Sequence, residues 1–307
     1  MQTLASPAPR RRPRARHWAA QLALLPMAAT VLLAYLGTLA WSVRVSFSSS
    51  RSLPVDDFVG LAQYSRLFAS ERWLLSLQNL ALFGVLFIAA CLVLGFLLAV
   101  FIDQQVSGEG LLRTVFLYPY AMSFVATGLV WQWLLNPELG LQAGVRALGW
   151  EQFGFDWIVS QDKVMYAIVL AAVWQAAGLV MALMLAGLRG IDDSLWKAAR
   201  IDGIPRWRVY LSLVLPQLGP SFGTAAVLLS VSVVKLFDVV VAMTQGGPGV
   251  ASEVPAKFIM DHLFGRANIG LASAASTVML LTVLALVAPW LYARSRGARL
   301  GGQEGGR

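Results

Sequence analysis

Apolar residues in this chain come in long unbroken runs, with neither the alternation of a half-buried strand nor the narrow stripe of a soluble helix. Six runs approach or exceed the roughly 20 residues a helix needs to cross a bilayer: 18–41, 81–102, 115–135, 164–188, 213–234 and 271–292. The pattern predicts an all-α membrane protein of six transmembrane helices, built as one domain over residues 17–293. The arm 1–16, rich in Pro and Arg, and the Gly/Arg tail 294–307 read as disordered ends. "RRRPRAR" precedes the first run, but that run is too long for the apolar core of a secretory signal. It lacks a small-residue cleavage site, so it is read as an uncleaved anchor.

Polar positions add an orientation. Of the 24 Lys and Arg, 15 fall in the arm, the 103–114 loop, the 189–212 insert and the tail. Ten of the 16 acidic residues fall on the opposite side. The excess of cations on one face predicts both termini and the 189–212 insert in the cytoplasm. The net charge of +8 is thereby explained by topology, and no nucleic-acid partner is needed. The chain is 58% hydrophobic and 13% charged, half the charge of an ordinary soluble domain. One cysteine and two distant histidines give no metal site and no disulfide. None of the four lysines follows a glycine, so the phosphate-binding loop G-x-x-x-x-G-K-[ST] is absent, and no cofactor is expected. Nor does any hydrolase or metalloprotease motif appear, so the chain is not expected to be an enzyme.

The insert is punctuated more carefully than a topological tether requires. In "IDDSLWKAARIDGIPRWRVYLSLVLP", Asp192, Asp193 or Ser194 can cap a helix of about 193–203. Lys197 and Arg200 suit its negative end, and Gly203 stands where a left-handed residue closes a helix. Pro205 fits the first turn of a second helix that continues into the fifth span. The product is an elbow at the membrane surface. A helix this short is marginal in water, so it needs a surface to rest on: its own bundle, lipid headgroups or another protein. A solvated basic loop remains the plain alternative.

These residues also carry a resemblance. "AARIDGIPRWRVYLSLVLP" is similar to the cytoplasmic signature of integral-membrane subunits of binding-protein-dependent ABC importers, roughly E-A-A-x-x-D-G-A, some nine residues, then I-x-L-P. Ala198, Ala199, Asp202, Gly203, Leu215 and Pro216 fall on its positions, while Lys197 stands where the family usually has Glu and Ile204 where it usually has Ala. "FVGLAQYSRLF", "GLLRTVFLYPYAMSFVATGLVWQWLLNPELGL" and "FDVVVAMTQGGPGVASEVPAKFIMDHLF" resemble the sugar permeases among them, nearest to the glucose/mannose and glucoside kind. The resemblance implies a type I ABC importer permease fold whose elbow is a coupling helix. That helix, with Lys197, Ala198, Ala199, Asp202, Gly203 and Pro216, would dock on one member of an ATP-binding subunit dimer. It further implies a second homologous permease in a heterodimer, and an extracytoplasmic binding protein that delivers sugar. Lys197 reverses a charge at the docking surface.

Polar groups at membrane depth are costly and often functional. Trp131, Gln132, Trp174, Gln175, Lys235 and Asp238 are candidates for a sugar pathway, with aromatic faces for C–H and polar atoms for hydroxyls. The bland alternatives are interhelical glue and interfacial tryptophan, with Lys235 and Asp238, three apart, neutralising one another on one helix face. Gly246, Gly247 and Pro248 in "TQGGPG" permit a tight reversal after the fifth span, although a plain loop is the simpler reading of the residues. The resemblance implies that the segment shapes the outer mouth, and His262 reads as an ordinary interfacial residue. The competing readings are a secondary transporter or channel, which would need paired broken helices or a coupling-ion site in two symmetric halves, neither of them legible in the sequence, and a membrane scaffold that recruits a partner without transport.

Overall fold

The computed structural model describes residues 16–104 and 106–304, so most of the N-terminal arm lies outside the described residues. Every named element is helical, and the described residues include one isolated antiparallel bridge, Ser48 with Phe58. The chain opens with α1 (Arg16–Thr30), a π-helical stretch Val31–Leu36 and α2 (Gly37–Val45). Leu22, Leu33, Tyr35 and Trp41 of this long helix are all more than half exposed, because it touches the rest of the chain mainly where α2 meets the last helix.

Two helices form the axis of the fold. After α3 (Ala62–Phe68), α4 (Glu71–Asp103) starts at Ser70, whose side chain accepts from the Trp73 N–H. At 1.5 Å per residue its 33 residues reach about 50 Å, well beyond the ~30 Å hydrocarbon core. It packs along α8 (Val164–Leu188), the most buried span. Lipid gives no hydrophobic drive between helices, so close approach over small residues has to do the work. A Cβ on Gly95 would lie 2.5 Å from Val180 Cγ1, and one on Gly178 of α8 would run into the carbonyl of Phe116.

The third and fifth expected spans are not continuous. The third is α5 (Glu109–Ala121) and α6 (Phe124–Leu134), bent by 100° at Met122–Ser123. Pro119 weakens the last turn of α5, and Ser123, whose Oγ accepts from the Ala126 N–H at 3.1 Å, caps a fresh helix. After α7 (Leu141–Ala147) and α8, the insert forms α9 (Asp193–Ile201) and α10 (Arg206–Arg208). A π-helical stretch Val209–Val214 and α11 (Leu215–Gln217) follow, before a 67° bend into α12 (Gly219–Val234). Gly219 and Pro220 open α12, and proline cannot continue the preceding hydrogen-bond ladder. The helix after the elbow therefore does not run straight into the membrane span. A further break at Lys235–Phe237 separates α13 (Asp238–Thr244).

The chain closes with α14 (Pro255–Met260), a π-helical turn Asp261–Gly265 and α15 (Ile269–Glu304). Among the described residues three helices are long and apolar enough to cross a membrane unbroken, and five if each bent pair counts once. The apolar stretch of α15, Ile269–Ala285, is shorter, so the expected count of six rests on that helix. Its helix continues past the boundary set at residue 293 to Glu304.

Candidate functional site

The elbow is the best-formed polar feature. Asp192 caps α9, its Oδ1 accepting from the Ser194 N–H at 2.8 Å, and that bond holds its carboxyl below the usual range. At the other end the Ile204 N–H bonds the Ala199 carbonyl at 3.0 Å, and the Gly203 N–H bonds the Arg200 carbonyl at 3.3 Å. This paired closure requires a left-handed residue, and Gly203 supplies it at φ +65°. Pro205 sits one position before α10 instead of inside its first turn; its ψ of 141° turns the chain.

Helical periodicity sorts the residues of α9. Leu195, Trp196 and Ala199 face the bundle, with Ala199 buried and Trp196 edge-on to Tyr210, ring centres 5.5 Å apart. Ser194, Lys197, Ala198 and Ile201 lie on the far side, all exposed. Ala199 is thus a seat for the elbow on its own chain, while Ile201, 85% exposed, is what the elbow presents. Asp202 and Gly203 are exposed at the turn, and Pro216 lies in the short helix before the 67° bend. Beneath the elbow a crevice of about 730 Å³ opens between Asp103, Glu109, Arg189, Trp196, Arg206 and Tyr210. Arg189 spans its edge, bonding Glu109 at 2.7 Å with Asp103 4.0 Å away.

The structure separates the expected pathway residues. Trp131 of α6 and Trp174 of α8 come together edge-to-face at 5.8 Å, and half-buried Gln132 follows Trp131 on α6. Gln175 is buried, and its Nε2–H bonds the Met122 carbonyl at 2.9 Å, satisfying a group freed by the break between α5 and α6. Its first job is therefore a brace. Lys235 and Asp238 do not neutralise one another: the helix breaks between them, both are exposed, and among the described residues no ion pair includes either.

The reversal after α13 is braced as well as tight. Gly246 and Gly249 have φ +90° and +62°, and the Gly247–Pro248 bond is cis. Ser252 Oγ donates to the Gly247 carbonyl at 2.6 Å, and Asn79 of α4 donates to the carbonyls of Ala251 and Glu253, both at 2.9 Å. Arg72 of α4 reaches both oxygens of buried Glu253 at 2.8 and 2.9 Å and also bonds Asp261, which Lys257 reaches at 2.6 Å. Burial pushes the Glu253 carboxyl up despite Arg72; burial acts the same way on Asp261, but bonds from Lys257 and Arg72 hold it below its ordinary range. His262 is buried, its Nδ1 2.9 Å from the Phe258 carbonyl and its ring 4.0 Å from the Phe258 ring, so it belongs to this packing. Sequence reading missed this clamp, since its members lie up to 189 residues apart. Arg72 and Asn79, polar residues entering an apolar run, were its only signals.

Against known proteins, residues 92–296 match the family described as binding-protein-dependent transport system inner membrane component. A probable ABC transporter permease protein of Pyrococcus horikoshii is 36% identical over 84% of this chain and 89% of its own. The xylose/arabinose import permease protein of Haloferax volcanii is 31% identical over 87% and 85%. In fold, the chain is similar to a chain of a bacterial ABC transporter involved in import of the acidic polysaccharide alginate. That match has a TM-score of 0.78 at 19% identity, covering 92% of this chain and 96% of the other.

Proposed function

Because this chain belongs to the family of inner membrane components of binding-protein-dependent transport systems, we propose that it is the permease subunit of an ATP-driven importer for a sugar. Family members are permease subunits and not enzymes, in keeping with the missing phosphate loop. ATP would be hydrolysed on a separate subunit pair, solute delivered by an extracytoplasmic binding protein, and the bundle completed by a second, homologous permease. The termini and the elbow would lie in the cytoplasm, as the distribution of Lys and Arg favours.

The observation that carries this reading is the elbow: a capped helix, closed by a left-handed glycine, seated by Ala199 and presenting Lys197 and Ile201 outward. A helix so finished suits insertion into a groove of another protein. Closure of the ATP-binding pair would move this helix and its counterpart on the second permease together. The bundle would rock between inward-open and outward-open packings, each stabilised by a different ligand state. Trp131, Gln132 and Trp174, with the unpaired Lys235 and Asp238, are the groups best suited to line the pathway; charged groups at this depth favour a wet cavity over lipid. The TQGGPG turn, with Gly246, Gly247 and Pro248, would shape the outer mouth. A relative named for pentoses sits at 31% identity, so glucose, mannose and small glucosides are the first solutes to test and not the last.

The experiment is uptake into vesicles. The purified chain alone should hydrolyse no ATP; the chain with its second permease, ATP-binding subunits and loaded binding protein should accumulate sugar only when ATP is supplied. ATP turnover by the isolated chain, or uptake without the ATP-binding subunits, would overturn the reading.

A further inference from the structure

The outward face of α9 specifies what must meet it. Leu195, Trp196 and Ala199 cluster on one side of the helix, where Trp196 and Ala199 pack into its own bundle and Leu195 is half-buried. At 100° per residue the opposite side is centred on Lys197 and Ile201, one turn apart, with Ser194 beside them. Ile201 is 85% exposed, a large apolar side chain on an otherwise polar face. Lys197 is exposed, and among the described residues none of the ion pairs includes it.

Resting on the proposed docking of the elbow, we infer that the ATP-binding partner carries an apolar socket for Ile201 with a carboxylate beside it, paired with Lys197. The usual polarity of this contact is thus reversed, and the chain discriminates among ATP-binding subunits by charge. A lysine carried into a protein groove without an anion would remain an unpaired, desolvated charge, which costs more than its pairing gains. Like charge opposite it would reject the wrong partner. A lipid surface fits this face poorly. An interfacial helix needs a broad apolar side, and α9 offers outward one large apolar residue between Lys197, Ser194 and Arg200. The membrane-surface chemistry belongs instead to the next turn, where Trp207 is exposed with the Arg208 guanidinium 5.2 Å from its ring.

The test uses the complete transporter, co-purified with its own ATP-binding subunits. A zero-length carbodiimide should join the Lys197 amine to a carboxylate of the ATP-binding subunit, read as a cross-linked peptide by mass spectrometry. Lys197→Arg should abolish that product, because a guanidinium does not form the amide. Lys197→Glu should lower ATP-driven uptake at least tenfold, with Lys197→Arg recovering most of the loss. In parallel, Ile201→Cys is labelled with a short thiol-specific photo-cross-linker, whose carbene inserts into whatever protein surface lies against it. Photo-cross-linking to the ATP-binding subunit without any carbodiimide product, and with Lys197→Glu transporting like the parent, would overturn the acidic socket while leaving docking intact. Failure of both cross-links would overturn docking itself. A defect in Lys197→Glu seen in vesicles containing anionic lipid but absent in pure phosphatidylcholine would assign Lys197 to headgroups and also overturn the inference.

Discussion

The two ends of α4 are held in opposite ways. At its start, Arg72 and Asn79 tie the helix to a segment some 180 residues later through the buried Glu253 carboxylate, two backbone carbonyls and a second ion pair of Arg72 with Asp261. About 45 Å away along the helix, at 1.5 Å per residue, Asp103 meets the elbow region through one exposed arginine at 4.0 Å, across a crevice. The first end is locked by groups that cannot be left unpaired. The second is a lightly seated helix, held by Trp196 and Ala199 on one side, with Lys197 and Ile201 exposed on the other. One end fixes the geometry of the turn, and the other leaves a face exposed for the proposed partner.

Breaking the locked end should have the largest effect on stability. Arg72→Ala leaves Glu253, 2% exposed, without its cation, a loss on the order of 3–5 kcal/mol for a buried pair. The expected outcome is a clear drop in the melting temperature of the detergent-purified protein, partly restored in Arg72→Lys. Asn79→Ala removes donors from two carbonyls and should destabilise by roughly 1–3 kcal/mol. Gln175→Leu should cost about 1 kcal/mol, since it frees the Met122 carbonyl but also deletes an amide oxygen that has no partner. The smallest effect belongs to the elbow. Asp192 has a folded pKa below its unfolded value, so its cap contributes fully at neutral pH and is lost as pH falls through that lowered value. Exchange of the Ser194 amide should accelerate there relative to a mid-α8 amide, and Asp192→Ala should show the faster exchange already at neutral pH.

The contrast between the ends also marks what could be read from sequence. The elbow is local: cap, helix, glycine and proline follow one another within fifteen residues, and each has its own backbone requirement. Its helix and left-handed glycine are therefore legible, as are α4 and α8 from apolar length. Hydropathy, however, measures oil and not hydrogen bonds. It passes over the breaks at Met122 and Leu218, where Pro119 before Ser123 and the Gly219–Pro220 pair were the available signals. The role of Gln175 depends on the first of those breaks, so it could not be assigned without it. The same limit explains Lys235 and Asp238: a three-residue spacing implies one face only while the helix is unbroken. Most remote of all is the clamp, since nothing local in "ERW" announces a partner 181 residues away.

The central claim is that the bend at Gly203 transmits force from the elbow to the bundle. Gly203→Val tests it most directly, because a Cβ there meets open space, so its cost comes from the φ of +65° alone. The variant is predicted to insert and co-purify with its ATP-binding subunits at parental yield, while ATP-driven uptake in reconstituted vesicles falls at least tenfold. Parental uptake by that inserted, assembled variant would contradict the claim.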